Sequence, residues 1–366
     1  MMLPYDVLCL ILDHSRVNDH DVPSRATVAT WASAARVSRN WTAPARTMLY
    51  RHADLTGVEG GQPGPWVPLY IRTMRTYPHL RALVRILHIA TRGTPFPELH
   101  GWIPLLPRDS LAFLDYSWDD NKWDKFGDSS RLTVLQAPAV RSIRKLHICG
   151  SYSPTVLASI MTLSRLEELV ITVERMQDLT FHVPTPTPRL KHLDITIKPT
   201  FSAPSFDLLH ILVAAPQLET LTIRMQTLDL FAYKGLSRAL RSTTPALKVL
   251  GLYGNLEKWT EFDCPFMDGL IAQSPSLEVV SCHQGTFTHH FFRHLPPTVK
   301  VLNLVIPSPT SLSDKCRKAL VQCLRDARKR DLSLSRVFVW PRWEEDTLYD
   351  IMADACSASG IEFRSQ

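Results

Sequence analysis

The residues best suited to chemistry are the cysteines and histidines between positions 264 and 294: Cys264, Cys282, His283, His289, His290 and His294. Thiolate and imidazole are the ligands zinc prefers, and His290 and His294, four apart, would share one face of a helix. The surrounding pattern argues against a metal. Cys282 stands where an apolar repeat, described below, turns a side chain toward the core, and none of the seven cysteines is spaced Cys-x-x-Cys. A second group, Asp119, Asp120, Asn121 and Asp124, departs from calcium-loop spacing: Trp123 occupies a ligand position and no glycine follows. The basic run from Arg325 to Arg330 ends an amphipathic stretch built on Cys316, Ala319, Leu320, Cys323, Leu324 and Ala327, and cations suit a helix C-terminus. The chain has no dinucleotide fingerprint, phosphate loop, nucleophile elbow or His-Glu-x-x-His motif. The expectation is a protein without metal, cofactor or catalysis.

Composition narrows the class. Of 366 residues, 45% are apolar and 21% charged, enough apolar material for a large core. Lysine plus arginine exceed aspartate plus glutamate by 41 − 35 = 6, a spread-out excess too weak to predict nucleic-acid binding. No apolar run approaches the roughly 18 residues of a membrane span. The start, Met1 to Asp6, lacks a basic n-region, and the odd number of cysteines suggests reduced thiols. An intracellular protein, cytoplasmic and/or nuclear, is expected. Prolines number 27 against 14 glycines, so the chain is heavily punctuated.

A short repeat accounts for the punctuation. It reads apolar, two residues of any kind, apolar, one residue, apolar. Strong copies are Leu166/Leu169/Ile171, Leu190/Leu193/Ile195, Leu218/Leu221/Ile223, Leu247/Leu250/Leu252, Leu277/Val280/Cys282 and Val299/Leu302/Leu304. Weaker copies are Val84/Leu87/Ile89, Leu111/Leu114/Tyr116, Ile143/Leu146/Ile148 and Leu334/Val337/Val339. Nine steps cover 334 − 84 = 250 residues, a mean near 28. Pro188, Pro216, Pro245 and Pro275 each stand two residues before a first leucine.

The last two apolar positions alternate with polar neighbours, as in a strand with one buried face. Helices are expected between strands, over 154–163, 204–215, 230–241 and 312–330, with a following proline that cannot continue the helix. One unit cannot bury its own apolar side, whereas stacked units can. The spacing therefore predicts an α/β fold: a curved solenoid of βα units with a parallel sheet on its concave wall. An ordinary α/β sheet protein is the alternative. The pattern resembles the leucine-rich repeat, Leu-x-x-Leu-x-Leu-x-x-Asn, matched in full from Leu247 to Asn255. Elsewhere Ser151, Glu174, Lys198, Gln226 or Gly285 holds the asparagine position, which marks the array as divergent.

The first fifty residues are a different module. Pro4 suits a first helical position and Asp6 a first turn, while Val7/Ile11 and Leu8/Leu12 make the helix apolar over a wide arc. After a polar insert, Ser15 to Arg25, a second helix places Val28, Trp31, Ala32 and Ala35 on one face, and a third segment carries Trp41, Ala45, Met48 and Leu49. So short a module buries only a small core, so helices apolar on more than one side imply a partner. The expected organisation is a helical domain over 1–50, a linker or capping segment over 51–66, and the repeat domain over 67–366. The run Gly57 to Pro65 marks the linker, with Arg51 to Leu55 suited to a capping strand. Surface loops are expected over 118–130 and 184–188.

This stretch resembles an F-box. Leu3 to Leu12 follows the pattern Leu-Pro-x-Asp-Val-Leu-x-x-Ile-Leu, and Val37-Ser38-Arg39-Asn40-Trp41, then Leu49-Tyr50, supply the closing element. It departs from the family in Ser38, usually cysteine, and in the longer insert after His14. The resemblance implies a three-helix docking module for the Skp-type adaptor of cullin–RING ubiquitin ligases. Its adaptor-binding residues would be Leu3, Pro4, Val7, Leu8, Ile11, Leu12, Val37 and Trp41, although Trp41 also suits a core. An F-box followed by leucine-rich repeats is similar to a non-catalytic substrate receptor. The implied partners are the adaptor, through it a cullin, and a protein substrate. The alternative is a repeat scaffold acting without any ligase. Strand alternation turns the residues between and after the leucines toward the concave wall. The candidate substrate-binding residues there are His147, Asp194, Thr222, Arg224, Tyr253, His283 and Trp340; arginine, tyrosine and tryptophan often dominate interfaces.

Overall fold

The computed structural model describes residues 3–14, 25–56, 58–59, 62–63, 66–91, 97–118, 127–176, 189–197, 211–212, 215–225, 246–254, 266–306, 312–340 and 347–365. The chain divides into two compact units: residues 1–150 with 163–166, and residues 151–162 with 167–366.

The first unit opens with helices α1 (Tyr5–His14), α2 (Arg25–Val37) and α3 (Arg39–Arg51). Leu12, Trp31, Ala45 and Met48 form their core, with Ala34, Ala35, Trp41 and Leu49 packed against it. The Trp31 indole N–H donates to the Leu12 carbonyl at 2.9 Å, so the largest ring also satisfies a backbone group near the end of α1. At the other end, the hydroxyls of Tyr5 and Thr47 meet at 2.7 Å and tie α1 to α3.

No spacer follows the helices. Arg51 ends α3 and His52 begins strand β1 (His52–Leu55). Strands β2 (Val58–Glu59) and β3 (Gln62–Pro63) form an antiparallel pair, followed by helices α4 (Trp66–Thr76) and α5 (Pro78–Arg81). Strand β1 then pairs in parallel with β4 (Ile86–Thr91), β4 with β5 (Phe113–Trp118), and β5 with β6 (Lys145–Tyr152). Ala53 lies opposite Leu87 and Leu55 opposite Ile89, so β1 continues the buried apolar rows of the repeats.

The second unit carries eight described strands: β7 (Glu168–Met176), β8 (His192–Ile197), β9 (Thr220–Met225), β10 (Val249–Gly254), β11 (Val279–His283), β12 (Val301–Val305), β13 (Arg336–Trp340) and β14 (Glu362–Ser365). Each pairs in parallel with the next. Every pattern residue, from Val84/Leu87/Ile89 to Leu334/Val337/Val339, is buried. The fold is α/β, an array of parallel βα units of the leucine-rich-repeat type. Strand β14 lies outside the sequence pattern, because Gly360 holds the place of its first apolar residue.

The residue after each first apolar position makes a further row. In the second unit it runs Glu167, Lys191, Glu219, Lys248, Glu278 and Lys300, alternating in sign. The backbone N–H of each donates to the carbonyl of the one before at 2.7 to 2.9 Å. Lys248 Nζ reaches Glu219 at 3.0 Å and Lys300 Nζ reaches Glu278 at 2.7 Å. The lysine hydrogen bonds, and then their charges, hold both carboxyls below the usual glutamate range.

The expected helix over 154–163 is observed as Pro154–Met161, its first proline preceded by Ser153, whose hydroxyl accepts from Val156 N–H. The helix expected over 312–330 ends at Arg325. Two arginines beyond it serve neighbouring helix ends, while Lys329 pairs with Asp326 at 3.3 Å. Arg328 Nε donates to the Ser359 carbonyl at 3.0 Å, closing helix Thr347–Ser359. Arg330 donates to the Phe292 and Arg293 carbonyls, each at 2.8 Å, closing helix His289–Arg293. Arginine's planar fork suits such paired acceptors. The loop expected over 118–130 is shorter than that, since Trp118 ends β5 and helix Gly127–Leu135 begins within it. Its residues 119–126, the insert 15–24, the loop 184–188, most of the expected helices 204–215 and 230–241, the glycines of 57–64, Asn255 and Cys264 lie outside the described residues. Among the described residues no helix is long and apolar enough to cross a membrane.

Two outcomes follow from this packing. Lys248→Glu places three acids in succession, so its thermal midpoint should fall below wild type at low salt, with the gap shrinking in about 0.5 M salt. Because Glu219 and Glu278 titrate lower folded than unfolded, their lysine contacts stabilise fully at neutral pH. That stabilisation is lost as pH falls through the ordinary glutamate range toward the lowered folded values. Acid melts of Lys248→Ala plus Lys300→Ala should accordingly converge on wild type. Arg330→Ala strips two carbonyls of their donor and should cost about 2 kcal/mol in chemical denaturation, with Arg330→Lys recovering part of it.

Candidate functional site

Helix α1 is apolar on two sides. Leu8 and Leu12 are buried, at 3% exposure each, which corrects their assignment to a docking surface; Leu12 packs in one core cluster with Trp31, Ala45 and Met48. Leu3, Val7, Leu10 and Ile11, spaced i, i+4, i+7 and i+8, fall on one stripe along the opposite side. Their exposures are 49%, 37%, 62% and 45%. Leu10 is the most open of the four and was missing from the expected set, although its spacing from Leu3 and Val7 carries the signal. Pro4 is exposed at the head of the helix. Val37, at the end of α2, is 71% exposed, whereas Trp41 is half-buried against the bundle core. The structure thus leaves Leu3, Pro4, Val7, Ile11 and Val37 open and withdraws Leu8 and Leu12.

On the sheet faces, the register aligns the expected columns. In the first unit Asp54, His88, Asp115 and His147 stand opposite one another on consecutive parallel strands. His88 Nδ1 lies 3.3 Å from Asp115 Oδ2, and the Phe113 ring stands edge-on between the rings of His88 and His147 at 5.2 and 4.8 Å. The result is a row of alternating acid and imidazole. Asp54 was missed because β1 precedes the first recognisable repeat.

In the second unit Asp194, Thr222 and Gly251 share a row. The Arg224 guanidinium bonds the Asp194 carboxylate and lies 5.6 Å from the centre of the Tyr253 ring. A Cβ at Gly251 would come within 2.9 Å of Tyr253 Cε2, so the glycine makes room for that ring. One cation is therefore held between an acid and an aromatic face, a preorganised polar contact of the kind found at interfaces. Asn303 donates to Ser281 Oγ at 2.7 Å in the same column. Trp340 is about half exposed.

His283 corrects the expected surface. It is fully buried, because the turn that follows folds over it: Thr286 donates to the His283 carbonyl through both its N–H and its hydroxyl. Burial lowers the imidazole's pKa, although Nδ1 lies 2.6 Å from the Gln284 carbonyl. The neighbouring thiols are core groups. Cys282 is buried with its pKa pushed well up, and burial raises Cys316 to about 12. Thiols so protonated are poor metal ligands. Among the described residues no group of three or more histidine, cysteine or acidic side chains could hold a metal.

No family model matches the chain, and no curated protein matches it. Solved structures similar to it include the yeast complex of Rad7 and Elc1, at 15% identity and TM-score 0.44 over 91% of this chain and 85% of that one. Another is the leucine-rich repeat domain of the type III effector XCV3220 (XopL), at 16% identity and TM-score 0.29 over 86% of this chain and 95% of that one.

Gly251→Ala should push the Tyr253 ring aside while leaving the backbone intact. The expected result is an altered near-ultraviolet circular dichroism signal with a stability loss below about 1 kcal/mol in denaturant.

Proposed function

We propose that this chain is a non-catalytic substrate receptor of a cullin–RING ubiquitin ligase. The helical module docks a Skp-type adaptor, and the repeat faces hold a target protein. The observation that carries the reading is the apolar stripe Leu3, Val7, Leu10 and Ile11. A helix that has already committed Leu8 and Leu12 to its own core has no folding reason to add a second apolar side, and exposed apolar surface is normally covered in use. The motif residues Leu3 to Leu12 and Val37 to Trp41 name the kind of partner. The Arg224–Tyr253 contact and the Asp54 to His147 row give the repeats polar features suited to recognising protein rather than to catalysis.

The test is co-purification of the full chain with a Skp-type adaptor and a cullin. Wild type should retain both. Leu10→Asp plus Ile11→Asp, on the exposed stripe, should lose them with an unchanged thermal midpoint, whereas Leu8→Ala should mainly lower the midpoint. Adaptor retention by the double variant, or none by wild type, would sink the docking assignment and leave a repeat scaffold.

A further inference from the structure

Residues of α3 and α5, with Leu83 just beyond α5, line an open pocket of about 460 Å³. Its size falls within the roughly 300–1,000 Å³ common for binding sites. The floor is Leu80 and Leu83, and the rim carries Arg39, Arg46 and His79. All of these belong to the first unit. We infer that this pocket binds an acidic peptide segment of a partner protein, with two carboxylates straddling an apolar residue.

Three observations set the chemistry. Among the described residues, Arg39, Arg46 and His79 have no ion-pair partner. The two threonine hydroxyls of the lining already donate to backbone carbonyls, Thr42 to Ala35 or Ser38 and Thr47 to Ala43. Donors open to a ligand are thus supplied chiefly by the cations, so the site selects an acceptor bearing negative charge.

The second observation is the start of α3. Arg39 is its first residue, the first turn contains no acid, and Ser38 makes no side-chain cap. A helix N-terminus is the positive end of the helix dipole, where an arginine is unfavourable and an anion favourable. The α3 N-terminus lacks both of its usual internal satisfiers and adds a cation instead.

The third is spacing. Arg39 and Arg46 are seven residues apart on one helix, which separates their backbones by about 10 Å along its axis. An extended chain covers that distance in about three residues. Two acids three positions apart match that separation, with the intervening side chains over Leu80 and Leu83. The inference goes beyond the adaptor assignment: Arg39 belongs to the Val37 to Trp41 motif, but the stripe on α1 contributes no residue to this pocket.

Fluorescence anisotropy on the full chain at about 50 mM salt tests it, using fluorescein-labelled Gly-Glu-Ala-Leu-Glu-Gly and its Gln-for-Glu counterpart. The glutamate peptide should bind wild type at least about tenfold more tightly than the glutamine peptide and weaken as salt rises. Arg39→Glu plus Arg46→Glu, both on exposed positions, should abolish that preference with a thermal midpoint no lower than wild type. The stripe variant Leu10→Asp plus Ile11→Asp should keep it, which separates failure here from failure of adaptor docking. Equal affinity for the two peptides, unchanged binding by the double arginine variant, or no binding by wild type would overturn the inference. Full competition by inorganic phosphate at concentrations near the peptide's own would also overturn it, by showing a site for small anions alone.

Discussion

Each repeat supplies one short strand whose apolar side chains have nothing beneath them until the next repeat is laid alongside. That dependence governs the whole molecule. Leu169, Leu193, Leu221, Leu250, Val280 and Leu302 are buried only because neighbouring units share one register. A slip of one residue would turn every leucine to the open face and every polar residue inward. The alternating Glu167 to Lys300 row, repeated through backbone hydrogen bonds at the strand entrances, opposes such a slip, since only the native pairing sets each acid beside a base.

Stacked helices bring a second requirement. Each leaves carbonyl groups without partners at its C-terminus, and short helices leave proportionally more. Arginines from adjoining segments meet part of this need: Arg81 on Met74 and Arg75, Arg328 on Ser359, Arg330 on Phe292 and Arg293. Two cations of the basic surface run, Arg328 and Arg330, thereby close neighbouring helix ends, while Arg325 and Lys329 stay exposed. Arg39 and Arg46, by contrast, cap no helix end and have no ion pair among the described residues.

The features proposed for recognition sit where the core has finished its demands. On α1 the core takes Leu8 and Leu12 and leaves an apolar stripe. On the strands it takes the leucines and leaves rows whose chemistry is polar and mutually restrained, as with Arg224 between Asp194 and Tyr253. Restraint of this kind lowers the side-chain entropy lost when a partner binds.

Periodicity alone determined the α/β class, the strand positions and the columns that face outward, because a two-residue alternation within a 28-residue recurrence admits few other solutions. It also marked the helical module, through paired apolar residues four apart. It could not divide the apolar residues of α1 between core and surface: Leu8 and Ile11 look alike in a list, and only the packing of the three helices makes one interior. It marked Arg51 to Leu55 as suited to a capping strand, where β1 lies, but it could not see β14 as a member of the array, since β14 carries no full copy of the pattern. His283 occupies a surface column by count, yet a turn closed by Thr286 covers it. Burial depends on what lies across from a residue in space, and local spacing carries no record of that.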